Sequence, residues 1–297
     1  MTRKVLFALP LLSFAAVIAG CGSSSNNSQP TIQKVPVTQI AGLTPSGPIT
    51  PGKPTKVSFK ILQPSGSKLV TMTKFKTGSG PHTGVHMIIV RKDLNVIIHR
   101  HPPIGPDGTF SQTITFPKPG PYRMVLDVYP AAPAGSGGVN GFAQTNFQLF
   151  GNFDVKGAYK PTPLGAPASS ATVDGYRFKI VKIVPSPLKA IQSALVYMTV
   201  TDPNGNPLTL TPWYGALAHA IFFHKGRFEY FHTHVCSPGA GGCTSVFGGS
   251  KVVGSSATPG YLTVGVLLPD SGTWRLFLQL KAGEKILSAP FVLPVGT

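Results

Sequence analysis

All eight histidines of the 297-residue chain fall in two windows, His82 to His101 and His219 to His234, and the spacing within the windows repeats. His86 is followed 13 residues later by His99 and two further on by His101, and His219 is followed 13 later by His232 and two further on by His234. Neutral imidazole is a ligand for zinc and for copper, and three rings converging from adjacent strands suit either ion. Alternate residues of a β-strand project from one face, so the two histidines of each His-x-His pair point the same way. In an antiparallel hairpin with its turn centred on Asp93-Leu94, His86 stands opposite His101; with the centre one residue earlier it stands opposite His99. Either register puts His86 on the shared face, about 5 Å from one of the pair and diagonal to the other.

The second window repeats this pattern around Gly226-Arg227. Parity sends His224 to the opposite face and excludes it. His82 shares parity with His86 and adds a fourth ligand to the first set if the strand extends that far. The expectation is therefore one copper or zinc site per window, His86/His99/His101 with His82 as an optional member, and His219/His232/His234. Affinity would fall as pH drops through about 6.5, where ordinary histidine becomes charged. The competing reading has the rings bonding backbone groups and stiffening the hairpins, and a pH-sensing cluster is a third.

Other chemistry finds little support. There are only nine carboxylates and no near pair suited to general acid/base work. P-loop, nucleophile-elbow and His-Glu-x-x-His motifs are absent from the sequence. A three-histidine zinc hydrolase or hydratase is the one enzyme class the pattern suggests, and no acid-base partner is visible for it; the chain reads as non-enzymatic. Asp127 occupies a mid-strand position where the second copy has Gln279, which argues against a shared catalytic role. Tyr122 and Trp274, two residues past a glycine at a strand start, read as core aromatics. Cys236 and Cys243 enclose a Gly-rich loop and in an oxidising compartment are most simply a disulfide. The rival places Cys236, two residues past His234, as a thiolate ligand.

The elements that would hold these hairpins also come in duplicate. Phe116-Pro-Lys-Pro-Gly-Pro-Tyr-Arg123 matches Leu268-Pro-Asp-Ser-Gly-Thr-Trp-Arg275, and the second copy carries both cysteines in an insertion. Repetition at fixed spacing indicates a duplicated domain. The 34 glycines and 30 prolines are too many for helices, while β-branched alternating runs such as Val57–Leu62, Tyr176–Ile180 and Leu195–Thr201 recur between turn signals. The fold expected is all-β, with two tandem antiparallel β-sandwich modules at 49–156 and 170–297 and a stiff proline-rich linker at 157–169.

Four segments carry a family resemblance: His82-x-x-x-His86-Met-Ile-Ile-Val-Arg-Lys-Asp-Leu94, His99-Arg-His101-Pro102, Pro106-Asp-Gly-Thr-Phe110, and Phe116-Pro-x-x-Gly-x-Tyr-Arg123. Together they are similar to the YtkA-like family of secreted bacterial modules. Trp213-Tyr-Gly-Ala-Leu-Ala-His219 and His232-Thr-His234 resemble the second module of its tandem members. The resemblance implies an immunoglobulin- or cupredoxin-like sandwich and no particular activity. The second copy departs from the pattern at Val235, where a proline is expected, and in the cysteine loop.

Ahead of the modules, Arg3 and Lys4 precede an apolar run from Val5 to Ala19 and then Gly20-Cys21. A basic start and an apolar core of roughly 15 residues read as a secretory signal, too short for a comfortable membrane span. Ile18-Ala19-Gly20-Cys21 resembles the bacterial lipobox, which predicts a signal at 1–20, cleavage before Cys21 and acylation of its thiol. An ordinary signal with a chance cysteine is the alternative. Residues 21–48, with Gly-Ser-Ser-Ser-Asn-Asn-Ser directly after Cys21, are expected to form a flexible tether. The predicted location is the extracytoplasmic face of the cell membrane, held by lipid. With Arg3 and Lys4 removed, 24 Lys and Arg face nine acids. Such an excess suits anionic lipid or wall polymers, and no nucleic-acid reader is recognisable. The partners expected are the membrane, a metal ion or another envelope protein, and not nucleic acid.

Overall fold

Short β-branched runs cut by glycine and proline turns cannot extend into helices, and among the described residues every regular element is a strand. The computed structural model describes residues 37–78, 80–131, 146–240, 243–247 and 250–297. The signal segment, Cys21 and the tether up to residue 36 lie outside the described residues.

In the first module the strands are β1 (Gln39–Thr44), β2 (Pro54–Ser65), β3 (Lys68–Thr71), β4 (Val85–Arg91), β5 (Ile97–Arg100), β6 (Phe110–Thr115), β7 (Gly120–Val128) and β8 (Phe147–Val155). They make two four-stranded sheets, one built on β2 with β1, β3 and β6, the other in the order β5-β4-β7-β8. Val57, Phe59 and Ile61 of β2 pack against Met87, Ile89, Met124 and Leu126 between the sheets. The tether expected to reach residue 48 is corrected here. Gln39–Thr44 pairs antiparallel with β2, because Ile40 and Leu43 offer apolar side chains to the core.

The second module contains β9 (Ser170–Val173), β10 (Tyr176–Val184), β11 (Ala194–Thr201), β12 (Ala218–His224), β13 (Tyr230–Cys236), β14 (Thr244–Phe247), β15 (Ser250–Thr258), β16 (Tyr261–Val266), β17 (Gly272–Ala282) and β18 (Lys285–Val295). These form one continuous sheet in the order β18-β17-β12-β13-β15-β16-β11-β10-β9, with β14 paired to β15. A short parallel contact, Val235 to Gly254 and Cys236 to Ser255, joins its two halves. Gly254 is required there, since a Cβ would overlap the carbonyl oxygen of His234. The sheet curls until its ends, β9 and β18, are neighbours around a core that includes Phe178, Met198, Phe222 and Trp274.

β4, β5 and β7 correspond to β12, β13 and β17 in pairing and in sequence. Strands with one face on a core and one in water alternate in polarity, whereas β4 and β12 are buried at every residue. On β4, Met87 and Ile89 enter the module's own core. Ile88 and Val90, with Leu94 and Val125, face outward and meet Ile221, Phe223, Tyr230 and Phe277 of the second module. A large apolar side chain contributes about 1.5–3 kcal/mol when fully buried, so eight of them make this contact part of the fold. Pro36–Thr297 accordingly cluster as one compact unit, within which the two modules share this apolar contact.

The linker is strapped onto the same contact. Arg91 and Asp93, both buried, pair at 2.6 Å in the β4–β5 turn. The Thr162 amide donates to Asp93 Oδ2 at 2.9 Å, and Asn95 Nδ2 donates to the Thr162 carbonyl at 2.6 Å. From β17, Arg275 donates to the carbonyls of Leu94 (3.0 Å) and Leu164 (3.3 Å).

Candidate functional site

The histidines lie on the outward faces of β4–β5 and β12–β13, beside the apolar contact. In the first hairpin Ile88 pairs with His99 and Met87 with Arg100, the register centred on Asp93-Leu94 that sets His86 opposite His101. In the second, His219 pairs directly with His234. Face-to-face packing of the two modules then merges what the repeat suggests are two sites. His86 and His232 lie with ring centroids 5.3 Å apart, His99 and His219 4.9 Å, and His234 Nδ1 and His82 Nε2 are 3.1 Å apart across the module boundary.

Two trios among the described residues bring their nitrogens close enough to share an ion: His86/His99/His232 and His219/His232/His234. The first trio draws on both hairpins, whereas the second lies within β12–β13 and is the set His219/His232/His234 expected from the spacing. His232 stands in the first trio where His101 was expected. His101 instead stacks between His86 and Tyr214, each at 3.9 Å. His82 belongs to neither trio and sits against Tyr129 and His234. His224, on the opposite face, turns to the Ser271 carbonyl (3.1 Å) and Trp274, away from the centre.

Hydrogen bonds assign several ring tautomers. Gln279 Nε2 donates to Ser288 Oγ, which leaves Oε1 to accept from His99 Nδ1 at 3.2 Å. The His99 Nε2 lone pair then faces His101 Nε2 at 3.2 Å. His219 Nε2 donates to the Trp213 carbonyl at 2.9 Å, so its Nδ1 lone pair faces His232 Nε2 at 3.3 Å. Both ring nitrogens of the fully buried His86 lack a hydrogen-bond partner among the described residues.

Burial dominates the electrostatics. Desolvation pushes His86, His99, His219 and His234 well below the ordinary histidine value, and charged neighbouring rings would push them further. Burial also lowers His82 to about 4 and His101 to about 3. At neutral pH all six are uncharged, the form that binds metal. Around them stand residues that spacing alone did not select. Asp127 pairs opposite His86 on β7, and Gln279 pairs opposite His219 on β17. Each crosses to the other module, Gln279 to His99 and Asp127 to His232, whose Nδ1 lies 3.9 Å from Asp127 Oδ2. Equivalent positions in the repeat carry the signal that would have found them.

The structure joins Cys236 and Cys243 as a disulfide with Cα atoms 6.0 Å apart, so Cys236 is not a thiolate ligand. In native protein neither cysteine should react with an alkylating agent until a reductant is added. Opening a loop this short should cost at most about 2.5 kcal/mol. Two thiols labelled without reduction would return Cys236 to the candidate ligands.

Residues 171–297 match a protein family described as a domain of unknown function, DUF8832. Comparison with curated proteins gives no match. Among solved structures, the chain is similar to the Escherichia coli adhesin FdeC at 14% identity and a TM-score of 0.25, covering 88% of this chain and 64% of that one. It is similar to invasin, a bacterial integrin-binding protein, at 11% identity and a TM-score of 0.19, covering 86% and 38%. Domains 4 and 5 of the S-layer protein SbsC align at 12% identity and a TM-score of 0.19, covering 89% and 100%. The chain thus spans less than two-thirds of the first two, and TM-scores this low carry no property of those proteins over to it.

Proposed function

We propose that the chain is a non-enzymatic, membrane-anchored lipoprotein of the bacterial envelope that binds copper or zinc in a histidine centre shared by its two β-sandwich modules. The observation that carries the reading is an imidazole lone pair aimed at a second ring nitrogen. His219 commits its Nε2 proton to the Trp213 carbonyl, and its Nδ1 then meets His232 Nε2 at 3.3 Å. Two nitrogens each about 2.05 Å from a tetrahedral ion are separated by about 3.3 Å. An all-imidazole set suits both metals, and neutral buried rings bind without first losing a proton. His234, whose Nε2 lacks a hydrogen-bond partner among the described residues, completes the trio with His219 and His232.

A second reading, an envelope interaction module with architectural histidines, is favoured by the same distances. The pairs at 3.1–3.3 Å also satisfy N–H···N hydrogen bonds when one ring of each donates. Calorimetric titration of the metal-free chain with copper and with zinc at about pH 7.5 separates the two. Saturable binding tighter than about 10 μM supports the metal centre; its absence for both ions leaves the rings as architecture.

Anchoring rests on Ile18-Ala19-Gly20-Cys21 and on the short apolar run before it. Membership of the YtkA-like modules is part of the same proposal. Among the described residues no helix is long and apolar enough to cross a membrane. Replacing Cys21 with serine should release the protein from the membrane fraction or leave it unprocessed. Unchanged mass and fractionation of Cys21→Ser would remove the lipid anchor from the proposal.

A further inference from the structure

Resting on the metal-binding reading, we infer that Asp127 commits His232 to a single donor nitrogen, so that the centre holds one ion and not an imidazolate-bridged pair. The two trios share His232, and both could fill at once only if its two ring nitrogens each bound an ion. Asp127 stands on the Nδ1 side of that ring, with Oδ2 at 3.9 Å across the module boundary. The carboxylate is itself held in place. Tyr129 donates its hydroxyl to Oδ2 at 2.9 Å, and Asn146 Nδ2 donates to Oδ1 at 2.8 Å.

A fixed, buried negative charge on the Nδ1 side favours the proton there and leaves Nε2 as the donor. This is the outer-partner arrangement by which a carboxylate orients a metal-binding histidine and strengthens its free nitrogen. An ion on the Nδ1 side would have to displace that proton, and neither trio includes Asp127 as a ligand. The repeat supplies an internal contrast. In the second module the corresponding residue is Gln279, and it serves His99 in the same crossed manner through a neutral amide at 3.2 Å. His232, common to both trios, is the ring with the charged partner, which places the stronger orienting group on the ligand both positions need.

The test uses the full chain in detergent, zinc as the probe, and Asp127→Asn as an isosteric neutral variant. Bound zinc is counted by direct metal analysis and affinity by calorimetry. Nitrogen-15 NMR of the metal-free wild type reads the His232 tautomer. Expected results are one zinc per chain, a proton on His232 Nδ1, and binding weakened about 10- to 100-fold in Asp127→Asn with stoichiometry kept. Two zinc ions per wild-type chain would overturn the inference while leaving the metal reading intact; no uptake at all would overturn both. A proton on His232 Nε2, or an Asp127→Asn protein that binds zinc as tightly as wild type, would show Asp127 to be idle. Because the tautomer is read in the wild type, the inference stays open to refutation even if Asp127→Asn does not fold.

Discussion

Metal-free protein should lose stability steeply between pH 7.5 and 5.5, with its mid-transition urea concentration falling by half or more. Burial holds His86, His99, His219 and His234 far below the ordinary value of about 6.5, which the unfolded chain recovers. Below pH 6.5 the unfolded state therefore takes up protons that the folded state refuses, and stability falls with pH. The stabilising contribution is complete above 6.5 and erodes through the window beneath it, which for His82 runs down to about 4 and for His101 to about 3. At pH 5.5 each fully buried ring costs about 1.4 kcal/mol, near 6 kcal/mol for the four together. That is comparable to the whole stability of an ordinary domain. The same shifts revise the pH dependence expected of metal binding. Affinity should hold below pH 6.5 while the fold persists and vanish together with it. Equal urea midpoints at pH 7.5 and 5.5 would mean that the rings are accessible to protons, contrary to their burial.

Replacing His232 with alanine should lower zinc and copper affinity by at least about 100-fold, more than the loss of an outer partner costs. Each trio then keeps only two imidazoles, because His232 is common to both. His101→Ala removes a ring that belongs to neither trio and should change affinity less than about fivefold. Treating the hairpins as separate sites leads to a different result, since His232→Ala would then spare His86/His99/His101 entirely. Calorimetry on the two variants distinguishes the schemes. A His232→Ala protein that retains one full-affinity site would sink the shared centre. The loss should also be non-additive: changing His99 as well as His232 should cost little more than His232 alone, as expected of groups acting on one ion.

Much of the architecture was legible from local rules. Period-two alternation in Leu195–Thr201 and the glycine- and proline-rich turns mark an all-β chain, and β10 and β11 form where the alternation lies. The repeated 13-and-two histidine spacing and the polar turn Arg91–Asn95 narrow the pairing of His86 to His99 or His101, and the structure selects His101. Parity alone separates His224 from the other rings of its hairpin. Residues 39–44 were harder to place: six residues after a serine- and asparagine-rich stretch look like tether, and only contact with β2 makes them a strand.

Val85-His-Met-Ile-Ile-Val90 holds a further signal. An unbroken apolar run on an antiparallel strand means that both faces are covered, and one module supplies only one cover. By itself, then, the sequence determined the strands, the duplicated hairpins and the face on which their histidines lie, because these depend on periodicity, turn chemistry and neighbours along the chain. Tertiary structure alone decided that the two faces meet each other. Ile88, Val90 and Val125 found their cover in Ile221, Phe223 and Phe277, and that contact carried His232 beside His86 and His99 and set Asp127 and Gln279 against rings of the other module. Apolar burial is non-directional, so a sequence can show that a face needs a partner without showing which surface will provide it.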